Sequence, residues 1–454
     1  MTNRRTFLQQ GGKALATARL IGTALAPGMF ISDAAQALKG AAKSVVITTH
    51  EHFGDLEERL DFPAAWDIQV QKMAGHDAPV LSREEVRRRI QAPIGTRPLR
   101  EIAAGKKSAV VTFDDLTRPT PTYEIAPVVI EELLAAGVPE ERIMFVGSYG
   151  THATLQLDEV VRKLGKDLTR RFSWVNHNIW DNVKDVGVTG YKNRVKINQT
   201  FAAADLRVTI SGIKIHSNAG YGGGAKAVLP GVCCFETIQY NHDNLIDKKP
   251  KPGLVRIFKN EMRLDMIEAA RLAKVDFTVQ IVYNGKRRPV GIFAGDIVDA
   301  HVAACRMGVK HYLTEKLPNP DIVVYNTYPQ TTQAGMGREW TGSVREGGTG
   351  LLILQNPQGI SSWHQYNEHN SGKDGRTYLD HLLTAPPPLP RSVQLIVYSQ
   401  YVDRQQMVKY PRNTLFAFTW DEAMHHLLAR HKGDARVAVY PYGAIQHTAM
   451  EFDA

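Results

Sequence analysis

The chain has 454 residues, and its composition, 43% hydrophobic and 22% charged, is that of an ordinary globular protein. One hydrophobic core rarely supports this length, so two domains are expected. The sequence contains no collagen-like or low-complexity tract, and three cysteines are too few for a disulfide framework.

The N-terminal segment predicts an export signal. Asn3-Arg4-Arg5-Thr6-Phe7-Leu8 precedes a mildly apolar stretch, and Ala35-Gln36-Ala37 offers the small-x-small pattern that a signal peptidase reads. We interpret residues 1–37 as a twin-arginine signal peptide, which implies the twin-arginine export machinery as a partner and a periplasmic location. The apolar stretch is broken by an arginine and a proline, so no stable membrane insertion is expected after signal removal.

Loss of residues 1–37 would lower the formal net charge from +9 to +6. The remaining basic clusters, Lys248 to Lys251 and Lys286 to Arg288, are short and lack interleaved aromatic residues, so no nucleic-acid partner is expected. A few cationic side chains can instead serve a small anionic substrate.

The middle of the chain alternates strand and helix patterns. Strands are predicted at 44–48, 108–113, 143–146 and 206–213, and helices at 83–90, 125–134 and 157–164. A second series follows a charged helix at 254–273: a hairpin of strands 277–282 and 289–293, helices 297–307 and 421–431, and strands 322–325, 351–354, 393–397 and 437–440. The sequence therefore predicts an α/β protein with largely parallel sheets. We expect a cofactor-binding and catalytic domain at 38–274, a second domain at 275–454, and an active site in the cleft between them.

Polar loops follow three of the predicted strands, at the edge of a parallel sheet where ligands gather. The first contains Asp114, Asp115 and Arg118, the second ends at His152, and the third leads through His216 into Gly220-Tyr-Gly-Gly-Gly-Ala-Lys226. The acidic pair could cap a helix, or it could orient a histidine beside an arginine that stabilises negative charge. The glycine loop predicts a bound anion or cofactor, with a flexible surface turn as the alternative.

Lys226 does not belong to a phosphate-binding loop of the nucleotide type, because Ala225 precedes it and Ala227 follows it. It is either a surface or ion-paired lysine or a nucleophile of lowered charge. The spacing of His152, His216 and His242 fits no autonomous zinc site. Cys233-Cys234 is expected to be buried packing rather than a redox pair.

Together these motifs resemble the nickel-pincer-nucleotide-dependent lactate racemase superfamily of 2-hydroxyacid racemases and epimerases. The matching stretches, in order, are Asp115-Leu-Thr-Arg118-Pro119, Gly150-Thr-His152, Ile215-His216, Gly220-Tyr-Gly-Gly-Gly-Ala-Lys226-Ala-Val-Leu-Pro230-Gly231 and Asn241-His242. The resemblance covers essentially the mature chain and is strongest from residue 107 to 242.

The resemblance implies a cofactor, the nickel pincer nucleotide (pyridinium-3-thioamide-5-thiocarboxylic acid mononucleotide). Lys226 would carry it in thioamide linkage, and His242 would complete a square-planar nickel centre, which suits Ni(II) with soft sulfur, carbon and imidazole donors. Thr117 and the three glycines Gly222, Gly223 and Gly224 would adjoin the flat cofactor.

The resemblance also implies the chemistry. His152 and His216 would act as acid and base on opposite faces of a 2-hydroxy acid, while a hydride moves to the cofactor and returns to the other face. Arg118 would lie near the substrate oxyanion or carboxylate, with support from Asp115. The predicted function is an exported 2-hydroxyacid racemase or epimerase, and the alternative is an exported protein that binds a small anion or metal complex without catalysis.

One departure from the family concerns the substrate. A Gln and a Lys three residues apart, shortly after a Tyr-Pro, help the family hold the substrate carboxylate, and this pair is not kept after Tyr328-Pro329. Arg338 is the candidate replacement. The sequence does not identify the 2-hydroxy acid, and lactate is only one candidate. It does not give the oligomeric state either, and a homo-oligomer is one candidate.

Overall fold

The structure is a computed structural model that describes residues 42–246, 254–255, 257–331, 342–359, 386–407, 410–448 and 451–452. The predicted signal peptide, the basic cluster Lys248 to Lys251, and Arg338 lie outside the described residues. Within the described ranges, no helix has the length and apolar character needed to cross a membrane.

The described residues form strands and helices that we number in chain order. The strands are β1 (Lys43–Thr49), β2 (Leu56–Phe62), β3 (Asp67–Val70), β4 (Ala109–Phe113), β5 (Ile143–Gly147), β6 (Ser173–Val175), β7 (Val183–Val188), β8 (Arg194–Asn198), β9 (Leu206–Gly212), β10 (Ile215–His216), β11 (Gly220–Tyr221), β12 (Leu254–Val255), β13 (Phe277–Tyr283), β14 (Pro289–Gly295), β15 (Ile322–Asn326), β16 (Thr349–Ile353), β17 (Gln394–Tyr398), β18 (Leu415–Ala417), β19 (Arg436–Tyr440) and β20 (Glu451–Phe452). The helices are α1 (Arg83–Gln91), α2 (Leu99–Ala103), α3 (Thr122–Ala135), α4 (Leu157–Leu164), α5 (Lys166–Arg171), α6 (Gln199–Ala203), α7 (Phe235–Asn244), α8 (Glu261–Leu272), α9 (Asp299–His311), α10 (Arg404–Met407) and α11 (Trp420–Arg430).

Two six-stranded sheets form the body of this fold. The first has the order β14-β13-β9-β4-β5-β6, and only its edge pair β13 and β14 is antiparallel. The second has the order β18-β17-β16-β15-β19-β3, with every neighbouring pair parallel. The predicted α/β fold with largely parallel sheets is confirmed.

Two elements, the hairpin β13–β14 and strand β3, belong to a different sheet from the one that their place in the chain suggests. The hairpin β13–β14 pairs through β13 with β9 and so extends the first sheet, whereas we expected it to begin the second series. Conversely, β3 pairs with β19 in the second sheet, although it lies early in the chain. Local periodicity identifies a strand but does not identify its distant partner. The boundary between 38–274 and 275–454 stays a prediction.

The first sheet positions three loops at one edge. Strands β9, β4 and β5 are parallel neighbours, so their carboxyl ends lie side by side. All five residues of β4 are buried, which anchors the middle of this edge in the core. Helix α4, which follows the β5 loop, begins in a capping box at Gln156 and ends at Gly165, whose φ of 82° favours glycine. The polar segments after the three strands are therefore held close together.

Glu51 links the loop after β1 to the segment after β15. Its carboxylate accepts hydrogen bonds from Thr331 Oγ1, at 2.7 Å, and from the Thr331 backbone N–H. Burial raises the pKa of this carboxyl from 4.5 to about 7, against the opposing effect of these hydrogen bonds. A carboxyl with a raised pKa stabilises the fold below its unfolded pKa and loses that contribution as pH rises through the folded pKa.

We therefore expect Glu51→Gln to flatten the fall in the free energy of unfolding between about pH 4.5 and about pH 7, by up to roughly 3 kcal/mol. Denaturant unfolding at several pH values measures the effect. Glu57→Gln is the matched control, because Glu57 is exposed on β2. An unchanged pH slope in Glu51→Gln would show that Glu51 does not titrate with folding.

Candidate active site

A cavity of about 390 Å³ lies where β4, β5 and β9 end. Eight of the ten residues predicted for the site line it: Asp115, Arg118, His152, His216, Gly222, Gly223, Lys226 and His242. The other two, Thr117 and Gly224, lie directly beside lining residues. All lining residues fall between Asp114 and Ile246, and the predicted cleft between domains stays a prediction.

His152 and Asp115 form a buried hydrogen-bonded pair. His152 Nδ1 lies 2.7 Å from Asp115 Oδ2, and Asp115 Oδ1 accepts from the Thr117 backbone N–H at 2.6 Å. Burial alone would raise the pKa of Asp115, but His152 and Arg118 outweigh burial and lower it. An ionised Asp115 keeps the proton of neutral His152 on Nδ1, so Nε2 is left as the basic nitrogen.

Asp114 and Asp115 do not cap a helix. Helix α3 begins at Thr122 without a side-chain cap. Asp114 instead pairs with the fully buried Lys163 at 2.6 Å, and Lys163 Nζ also donates to the carbonyls of Arg118, at 3.0 Å, and Thr120, at 3.1 Å. Lys163, which sequence reasoning missed, thus fixes the loop that carries Arg118.

His216 is held in the opposite tautomer. It lies in the short ribbon of β10 and β11, where its Nδ1 accepts from the backbone N–H groups of Asn218, at 3.3 Å, and Ala219, at 3.2 Å. The neutral ring therefore carries its proton on Nε2. Burial, followed by the charges of Lys226 and Lys214, lowers the pKa of His216 well below its usual value. The cavity thus contains one histidine with a basic Nε2 and one with a protonated Nε2.

The three glycines of the loop, Gly222 to Gly224, are present for different reasons. Gly223 and Gly224 have φ values of 74° and 58°, and an added Cβ would lie 2.5 Å from Gln280 Oε1 and 2.5 Å from His301 Cγ, respectively. The fold itself requires glycine at both positions. At Gly222 an added Cβ would meet nothing closer than Lys214 Cγ at 3.5 Å. Packing therefore does not demand glycine at Gly222, which lines the cavity.

Arg263, a buried residue of α8 that sequence reasoning also missed, holds this loop in place. Its guanidinium donates to the carbonyl of Ala219 at 3.0 and 2.9 Å, to that of Gly223 at 3.1 Å, and to that of Tyr221. Burial, followed by the charge of Arg263, lowers the pKa of Lys226 well below its usual value. Lys226 therefore keeps its positive charge less readily than an exposed lysine, which favours the nucleophilic form of its amine.

His242 has one ring nitrogen available for a metal. It lies in the last turn of α7, and its Nδ1 donates to the carbonyl of Ile238 at 2.9 Å, which leaves Nε2 as a lone-pair donor. Burial, with a smaller contribution from Lys226, lowers its pKa to about 4 and keeps the ring neutral. Among the described residues, no group of three or more His, Cys, Asp or Glu could hold a metal ion. A metal at His242 would therefore take most of its donors from a bound molecule.

Two further observations complete the site. Cys233 and Cys234 are free and buried, as expected for packing, and Cys305 is also free and buried. Lys214 lines the cavity two residues before His216. The sequence signal that could have revealed Lys214 is this spacing, because residues i and i+2 of an extended segment lie on one side.

The chain is similar to known lactate racemases in sequence. Residues 53–253 match the family model described as the lactate racemase N-terminal domain. The lactate racemase of Lactiplantibacillus plantarum is 28% identical over 396 residues, which is 82% of this chain and 92% of that protein. The lactate racemase of Thermoanaerobacterium thermosaccharolyticum is 27% identical over 326 residues, 69% of this chain and 76% of that protein.

Solved structures show the same fold. The lactate racemase apoprotein from Thermoanaerobacterium thermosaccharolyticum aligns with a TM-score of 0.63 at 22% identity, covering 88% of this chain and 99% of that one. A protein from Thermotoga maritima aligns with a TM-score of 0.57 at 17% identity, covering 84% of this chain and 99% of that one.

Proposed function

We propose that the chain is a member of the lactate racemase superfamily and an isomerase of the racemase type. It racemises or epimerises a 2-hydroxy acid with a nickel pincer nucleotide. One observation carries the proposal: a single cavity is lined by four side chains that suit this chemistry. Lys226 has an amine of lowered pKa, and His242 has an Nε2 available to a metal. His152 and His216 are histidines of opposite tautomer.

The donor set fits the cofactor. Lys226 would provide the amine for covalent attachment, and His242 would provide the protein ligand to nickel through Nε2. Gly222 lines the same cavity as Lys226 without a side chain, which leaves room for a flat ring. When bound, the cofactor would supply reversible acceptance of a hydride from the substrate carbon, which the side chains of the cavity cannot supply themselves.

The two histidines would handle the hydroxyl proton. His152 Nε2, made basic by Asp115 at Nδ1, accepts the proton of the substrate hydroxyl. His216 donates a hydrogen bond from its Nε2–H to the substrate oxygen in this arrangement. For the other enantiomer the two histidines would exchange roles, which requires the ring proton of His216 to move from Nε2 to Nδ1 so that Nε2 can accept the hydroxyl proton. Arg118 lines the same cavity and would stabilise the negative charge of the oxyanion or carboxylate.

Asp115→Asn is expected to lower kcat by about 10²- to 10⁴-fold, because an asparagine amide no longer fixes the proton on His152 Nδ1. Nickel content should be unchanged, since Asp115 contacts neither Lys226 nor His242. Steady-state kinetics with metal analysis measures both quantities. Asp158→Asn, at an exposed position of α4, is the control and should leave kcat unchanged. A fully active Asp115→Asn enzyme would contradict the assigned role.

The proposal is tested with mature protein from cells that make the cofactor. Single enantiomers from a panel of 2-hydroxy acids are incubated with the protein and analysed by chiral chromatography. Interconversion of at least one pair is expected, and none across the panel would overturn the proposal. A non-catalytic binding protein would need the cations and glycines but not the His152–Asp115 pair.

Export is a further part of the proposal. The twin-arginine pattern at Arg4-Arg5 supports transport to the periplasm with the cofactor already attached. Cell fractionation of the wild type and of a double Arg4→Lys, Arg5→Lys variant should find the variant retained in the cytoplasm. Equal periplasmic recovery of both proteins would argue against this route.

A further inference from the structure

Lys214 lines the cavity and belongs to the segment that carries His216. Its backbone carbonyl accepts from the Gly222 N–H at 2.7 Å, which ties this segment to the glycine loop. Its Nζ donates to Gln330 Oε1, and Gln330 lies beyond β15 of the second sheet. Among the described residues, no carboxylate pairs with Lys214.

Three carboxylates line the cavity, those of Asp114, Asp115 and the exposed Asp243, and within the described ranges none of them forms an ion pair with Lys214. The two buried carboxylates at its edge are already engaged, Asp114 by Lys163 and Asp115 by His152. Burial, followed by the charge of Arg118, lowers the pKa of Lys214 to about 7. A partly buried ammonium without a counter-ion is stabilised by any anion that enters beside it.

The other lining lysine has a different position and role. Lys226 follows the glycine loop and, in the proposed function, is consumed by covalent attachment of the cofactor. Lys214 precedes the loop, beside His216. In a 2-hydroxy acid the carboxylate and the hydroxyl are on adjacent carbons, so the groups that bind them must also be neighbours. Lys214 and His216, at i and i+2, meet this requirement.

Resting on the proposed function, we propose that Lys214 binds the carboxylate of the 2-hydroxy acid and thereby determines the specificity of the site for acids. Lys214 contributes the positive charge that the carboxylate requires. The site should therefore reject a neutral amide analogue of the same shape, because the ammonium would be left buried without its anion.

The test compares wild type with Lys214→Met, Lys214→Arg and the matched control Lys107→Met, which removes an exposed lysine before β4. Binding of radiolabelled DL-lactate to cofactor-loaded protein is measured by equilibrium dialysis. A racemic probe keeps its composition whether or not the enzyme turns it over. Lactamide serves as the neutral analogue, and nickel content and intact mass report cofactor loading.

We expect Lys214→Met to raise the Kd for DL-lactate by about 10- to 100-fold, with lactamide binding and cofactor loading unchanged. Lys214→Arg should restore part of the affinity, and KM for any acid that is turned over should rise more than kcat falls. Equal Kd values in Lys214→Met and Lys107→Met, or no preference of wild type for lactate over lactamide, would overturn the proposal. Loss of nickel in Lys214→Met would also overturn it, by assigning Lys214 to the cofactor.

The outcome is separable from that of the proposed function. If the wild type binds lactate through Lys214 but interconverts no 2-hydroxy acid, the proposed racemase function is wrong and the carboxylate site at Lys214 is supported. If the wild type is an active racemase and its Lys214→Met variant binds lactate normally, the racemase function is supported and the carboxylate site at Lys214 is wrong.

Discussion

Lys226→Arg is expected to yield a folded protein with no covalent adduct and no turnover. Burial and the charge of Arg263 lower the pKa of the Lys226 amine well below its usual value, which favours the nucleophilic form. An arginine stays protonated and has no amine to acylate. The loss of adduct and turnover should be complete rather than partial, because the proposed attachment is a covalent bond that requires the lysine amine. Intact mass of protein from cofactor-producing cells measures it directly.

The control for this experiment is Lys107→Arg, at an exposed position, which should carry the adduct like the wild type. Bound nickel should fall with the adduct in Lys226→Arg, since His242 alone is a single protein ligand. An adduct of unchanged mass in Lys226→Arg would show that attachment occurs elsewhere.

His242→Ala and His216→Ala are expected to lose activity for different reasons. His242→Ala removes the Nε2 donor that the Ile238 carbonyl orients through Nδ1, so nickel should be lost while the adduct on Lys226 remains. His216→Ala should keep nickel and the adduct but lose about 10²- to 10⁴-fold in kcat, the usual scale for a group that transfers a proton. Metal analysis and kinetics on the same samples separate the two.

His152→Ala is the companion to His216→Ala and should show the same pattern of retained nickel and lost turnover. Unimpaired racemisation in both variants would refute a mechanism with two acid/base histidines. Nickel retained at full occupancy in His242→Ala would refute the assignment of the metal ligand.

Elements with strong local signals were predictable from the sequence. Helix α4 was predicted at its observed bounds, because a capping box begins it and Gly165 ends it. Strands β4, β5 and β9 were predicted within one residue at each end, since each is a short apolar run bounded by turn signals. Strand β2, Leu-Glu-Glu-Arg-Leu-Asp-Phe, was not predicted, because consecutive charged residues hide the alternation of its buried positions.

The candidate site was predictable where histidine and lysine residues follow predicted strands in polar segments of the sequence. His152, His216 and Lys226 come from segments that follow consecutive predicted strands, so the parallel sheet brings them to one edge. His242 lies on α7 and reaches the cavity from that helix. Arg263 and Lys163 gave no such signal, because each lies within a helix and the hydrogen-bond and ion-pair partners of its side chain lie at least 40 residues away. A buried cation satisfied by carbonyls is visible only in three dimensions.

The most direct test of the central claim uses a single enantiomer of a turned-over 2-hydroxy acid that carries deuterium on C2. If the substrate hydrogen moves as a hydride and returns within the cavity, the opposite enantiomer should form with its deuterium retained in ordinary water. Mass spectrometry of both enantiomers at equilibrium gives the answer. Replacement of the deuterium by solvent hydrogen would indicate proton abstraction from carbon, and it would contradict the hydride mechanism proposed for the cavity formed by His152, His216, Lys226 and His242.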